Sequence, residues 1–200
     1  MKRRILLPFS VFTFLFILSC TCGLPTTLTS LGTATTPPRA VPTTTPSTRA
    51  ATLAPAAAEF AVPTEDPLHV QPNQQATYKT YPPSSGKHYG QYLDWGVYTK
   101  DVPPEYWVHG LEHGGIVILY NCALLGDCTK AQKTMETLFK AAPPDPEFKR
   151  VKILISPNSK ITSPVVALAW GWQLNLNDIN QTALIAFYQK YVNQGPELVP

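Results

Sequence analysis

The chain has 200 residues, of which 14% are charged, with 21 prolines and a formal net charge of +3. Residues 71–200 carry 11 Lys or Arg against 10 Asp or Glu, so the positive excess lies in the N-terminal part. With no basic patch or basic helix, no phosphate loop, no dinucleotide fingerprint and no nucleophile elbow, these features argue against nucleic acid as a partner and against the common nucleotide-dependent enzyme classes.

Lys2, Arg3 and Arg4 open the chain, and an apolar run follows from Ile5 to Leu18. That run is shorter than the roughly 20 apolar residues a membrane span needs. A charged start, a short apolar core and small residues after it form the pattern of an export signal. The ending Ile17-Leu18-Ser19-Cys20 resembles the lipobox of bacterial lipoproteins, in which the cysteine is lipidated. Cys22 is the weaker candidate. Residues 1–20 are therefore expected to be a lipoprotein signal peptide and Cys20 the lipidation site. The expected location is the extracytoplasmic face of the cell membrane, with the membrane as a partner through the lipid.

Residues 21–70 are dominated by Thr, Pro and Ala, as in Thr33-Ala34-Thr35-Thr36-Pro37-Pro38. Frequent proline removes backbone donors, and few large apolar side chains remain to offset chain entropy. This stretch reads as a disordered stalk. His69, at its end, reads as incidental. Residues 71–200 are the usual size of one domain.

Within that domain, the Ser-Gly loop ending in His88 comes first, followed by Tyr89, Tyr92, Trp95 and Tyr98, which read mainly as core. In Val108-His109-Gly110-Leu111-Glu112-His113-Gly114-Gly115, the glycines argue against a stable helix and for an extended segment or tight turn. Ile116 to Tyr120 is a continuous apolar, β-branched run, as in a buried strand. Cys122 and Cys128 follow it and suit a disulfide in an exported protein. Lys130 to Ala142 has helical periodicity, with Asp127 or Thr129 as cap and Pro143-Pro144 as stop. Val151 to Ile155 and Val165 to Trp172 read as two further strands. A last helix begins near Asp178 or Asn180 and closes at Gly195-Pro196. The order strand–helix–strand–strand–helix implies a small α/β domain, with a parallel pair across the first helix and a thioredoxin-like layout. No Cys-x-x-Cys pair supports thioredoxin chemistry.

Three of the four histidines fall in the segments around His88 and His109–His113. His109 and His113 share a face whether the backbone is helical or extended. Three imidazoles with Glu112 suit a divalent transition metal such as Zn or Cu, with Glu112 as fourth ligand or as a base beside the metal. The alternatives are a metal-dependent or His/Glu acid–base enzyme, and a non-catalytic interaction domain with a structural His cluster.

Tyr81-Pro82-Pro83-Ser84-Ser85-Gly86-Lys87-His88, Gly96-Val97-Tyr98 and His109-Gly110-Leu111-Glu112-His113-Gly114 resemble the bacterial family catalogued as domain of unknown function 3105. Ala167-Leu168-Ala169-Trp170-Gly171 and Gly195-Pro196-Glu197 are similar to the C-terminal part of that family. The resemblance implies a domain from about Tyr78 to Glu197 and an exported or anchored setting. It implies no reaction.

Overall fold

The computed structural model describes residues 57–200. The expected signal peptide, Cys20, Cys22 and the first part of the expected stalk lie outside them. In chain order the elements are β1 (Ala58–Ala61), β2 (His69–Val70), β3 (His88–Tyr89), β4 (Gly96–Val97), α1 (Pro104–Glu112) and β5 (Ile116–Tyr120). Then follow α2 (Cys122–Leu125), α3 (Cys128–Ala141), β6 (Ile153–Pro157), β7 (Val165–Ala169), β8 (Trp172–Leu176) and α4 (Gln181–Tyr191). Six strands form one sheet in the order β1-β8-β7-β5-β6-β4, and β2 pairs with β3 in a separate parallel ladder.

The parallel β5–β6 pair with α3 between its strands is the step the sequence implies. Strand β7 runs antiparallel to β5, and β8 antiparallel to β7, before α4 closes the unit. This is the small α/β arrangement expected from the order of elements.

Two apolar layers sandwich the sheet. On one face Ile116, Ile118, Ile153, Ile155, Val165 and Ala167 pack against α3 and α4 through Met135, Leu138, Leu184 and Phe187. On the other, Val117, Leu119, Leu154, Val166 and Leu168 pack against α1 through Trp107, Val108 and Leu111. Strand β5 is covered on both faces, which explains its unbroken apolar run. Asp127 caps α3 by accepting from the Lys130 amide at 2.9 Å, and Asn180 caps α4 by accepting from the Ala183 amide at 3.0 Å. Cys122 and Cys128 are disulfide-bonded. Among the described residues no helix is long and apolar enough to cross a membrane.

Four expectations need correction. The His109 segment is helical, not extended. Pro103-Pro104 starts α1, with Pro104 inside its first turn, and burial of Trp107, Val108 and Leu111 outweighs the helix cost of about 1 kcal/mol at Gly110. Glycine is needed at Gly115, where an added Cβ would sit 2.1 Å from the Trp95 ring; at Gly110 the same Cβ would stand 3.1 Å from that ring, a tight contact.

Val165 to Trp172 is not one strand. Gly171, at φ +70°, makes a two-residue turn, and the chain returns as β8. The last helix stops at Tyr191, before Gly195-Pro196, and Asn193 turns at φ 63°. Finally, the fold starts before residue 71. Strand β1 extends the sheet along β8, and the Glu59 carboxylate accepts from Lys190 Nζ and Tyr191 Oη on α4.

Candidate metal centre

The site is built where the β2–β3 ladder meets the C-terminal end of α1. The ladder sets His69 directly beside His88. The loop leading to His88 is held on α1 by Trp107 Nε1–H, which donates to the Pro83 carbonyl at 3.2 Å. Helix α1 then contributes His109 and Glu112, three apart on one face, and ends in His113. Gly114, at φ +73°, carries the chain off the helix.

His88 is fully buried, and its Nδ1 donates to the Gly86 carbonyl at 2.8 Å. His109 is buried too, and its Nδ1 donates to the Tyr89 carbonyl at 2.6 Å. A carbonyl can only accept, so these two bonds place the proton of each neutral ring on Nδ1 and leave a bare lone pair on Nε2. His88 Nε2 lies 3.0 Å from Glu112 Oε2, yet neither atom has a hydrogen-bond partner. His69 Nε2 is 3.9 Å from the same oxygen. One ligand atom from each of His69, His88, His109 and Glu112 falls within 4.8 Å of the others. Tetrahedral ligands about 2.1 Å from a metal stand about 3.4 Å apart. The 3.0 and 3.9 Å separations bracket that figure.

His113 is not in this group. It faces Glu197 at 3.4 Å and, with Glu112, forms a second group. The structure thus brings His88, His109 and Glu112 to one point, sets His113 next to them with its ring centroid 4.3 Å from that of His109 and its Nε2 toward Glu197, and adds two residues that the sequence reading left out. One is His69, which is not incidental: the β2–β3 pairing brings it in. The only sequence signal for it is that it is the fourth histidine. The other is Glu197, delivered by the tail after α4 and flagged by the Gly-Pro-Glu segment.

Burial pushes the imidazoles of His88 and His109 below the usual histidine range. It lowers His113 to about 4, with His109 adding to the effect. Glu112 is pushed up, first by burial and then by the charge of Glu197. Neutral imidazole is the ligand-competent form. A buried carboxylate at a helix C-terminus also opposes the helix dipole, at a cost of about 0.3–1 kcal/mol. A cation between Glu112 and the imidazoles would offset both penalties. The side chain of His69 is 58% exposed, so the group opens to solvent on that side. Exposed Tyr92 borders it, with its ring centroid 5.9 Å from that of His109.

A family model described as a protein of unknown function (DUF3105) matches residues 69–199. The chain belongs to that family. No curated protein and no solved structure matches it.

Proposed function

We propose that this member of the DUF3105 family is a metal-binding module, anchored to the extracytoplasmic face of the membrane through lipidated Cys20. His69, His88 and His109 supply Nε2 atoms and Glu112 a carboxylate oxygen to one divalent transition metal. Three nitrogens and one oxygen suit Zn²⁺ or Cu²⁺.

The observation that carries this reading is the contact between His88 Nε2 and Glu112 Oε2. With the His88 ring proton on Nδ1 and Glu112 ionised, two lone pairs face each other at 3.0 Å in a buried site and neither atom has another partner. Buried acceptors are normally satisfied, and leaving one unpaired costs about 1–3 kcal/mol. A cation satisfies both at once. The anchoring rests on the basic start, the short apolar core and the Ile-Leu-Ser-Cys ending.

The test is elemental analysis of the full chain, purified in detergent without a histidine tag and equilibrated with Zn²⁺ or Cu²⁺. Wild type retains metal after dialysis, and His109→Ala loses it while its circular dichroism stays native. A wild type that binds neither ion would leave a structural cluster, with a proton shared between His88 and Glu112, as the better account. Fatty-acid labelling that enters wild type and not Cys20→Ser checks the anchor.

A further inference from the structure

Among the described residues two ligand groups meet at this site, and Glu112 belongs to both. The first, with three imidazoles and one carboxylate oxygen, already fills a tetrahedral set. The second consists of Glu112, His113 and Glu197. A carboxylate has two oxygens and about four lone-pair directions, so one carboxylate can serve two cations. Glu112 is the group placed to do so. Its side chain is 6% exposed, and its Oε2 has no hydrogen-bond partner.

The second group is assembled by a specific feature of the chain. After α4 the tail crosses the end of α1 so closely that a Cβ on Gly195 would stand 2.1 Å from the Glu112 carbonyl oxygen and 2.3 Å from the Gly114 nitrogen. Only glycine fits there. Two residues on, the Glu197 amide donates to the Glu112 carbonyl at 3.0 Å. That bond fixes the backbone of Glu197 and leaves its carboxylate opposite His113 Nε2. Asn193 donates its amide to the Gly114 carbonyl at 2.8 Å and secures the same crossing. The tail is therefore docked so as to present a carboxylate to a histidine that the first group does not use.

We infer that the site is dinuclear: Glu112 bridges the first metal to a second divalent cation held by His113 and Glu197. This rests on the metal-binding reading above. One nitrogen and two carboxylates make the second position harder than the first, suited to Zn²⁺ or Mn²⁺. Three protein ligands leave it a free coordination position, the arrangement that lets a metal hold and activate water. Carboxylate-bridged pairs of this kind stand about 3.5–4 Å apart. The first metal is then fully ligated, and the second is the one that meets an external ligand.

The experiment is metal stoichiometry in the full chain, purified without a histidine tag, stripped with chelator, loaded with Zn²⁺ and dialysed. Wild type should retain two Zn²⁺ per chain. His113→Ala and Glu197→Gln should each retain one. Glu197 is largely exposed, so Glu197→Gln reports on ligation without disturbing the fold. One Zn²⁺ in wild type would overturn the dinuclear site and leave the first site standing. Two Zn²⁺ retained in both variants would also overturn it. No Zn²⁺ in wild type would overturn the dinuclear site and the Zn²⁺ reading of the first together.

Discussion

His88 and His109 show how a histidine is prepared for ligation through what its other nitrogen does. Each donates its Nδ1–H to a backbone carbonyl beside His88, that of Gly86 or of Tyr89. That single bond sets ring orientation and tautomer together. Glycine does complementary work nearby. Gly115→Ala would drive a Cβ to 2.1 Å from Trp95 and should destabilise the domain by about 1–3 kcal/mol, whereas Gly110→Ala, at 3.1 Å, should cost less. Denaturant unfolding of the two variants checks the order. At Gly195 the obstacle is backbone, not a movable side chain. Gly195→Ala should therefore detach the tail, with loss of the tail's protection from protease as the readout.

Among the elements, α1 matters most, because its last turn carries His109 and Glu112 and its cap carries His113. Lys152, just before β6, holds that end in place. It is fully buried, and its Nζ donates to the His113 carbonyl at 2.5 Å, to Asn193 Oδ1 at 3.0 Å and to the Val199 carbonyl at 2.8 Å. One ammonium thereby joins helix end, tail and sheet. Lys152→Met keeps most of the volume but removes every donor. It should cost about 1–3 kcal/mol, measured by urea unfolding, because three part-buried oxygens lose a charged donor. The Cys122–Cys128 disulfide, between the first residues of α2 and α3, closes a loop with a sequence separation of 6. Loop-closure entropy for so short a ring is worth about 2 kcal/mol. The double serine variant should lose about that much stability and keep its metal content, since α2 and α3 contribute no ligand.

At the scale of the whole domain, apo stability should depend on pH with a definite sign. His88, His109 and His113 titrate lower in the folded chain than in the unfolded chain, so the unfolded state binds protons first. Their contribution is intact above the unfolded value of about 6.5 and is lost progressively as pH falls toward about 4, the folded value of His113. Glu112 works in the opposite direction, since its raised value relieves its burial as pH falls. With three imidazoles against one carboxylate, the melting temperature of chelator-treated protein should drop between pH 7 and pH 5. A flat profile would count against neutral buried imidazoles. Saturating metal at about 1,000 times its dissociation constant adds about 4 kcal/mol, enough to raise the melting temperature by on the order of 10 °C at neutral pH. Protons compete for the same nitrogens, so that gain should shrink as pH falls.

Much of the frame is local in origin and was legible in the residues themselves. The apolar run Ile116–Tyr120 declares a strand covered on both faces. The periodicity after Asp127 declares α3, and the order of these elements implies the parallel pair and the layer arrangement. The residue types of the centre were legible too, because few side chains other than imidazole and carboxylate offer such lone pairs. What the sequence did not determine depends on partners distant along the chain. Helix α1 forms despite Gly110 because the sheet and Trp95 reward its burial, a tertiary term larger than local propensity. His69 joins the candidate ligand group only through the β2–β3 pairing, and β1 becomes a strand only because β8 offers an open edge. The division of the histidines into two groups around Glu112 was decided by where a helix end, a short ladder and a docked tail meet. Spacing along the chain carries no record of that meeting.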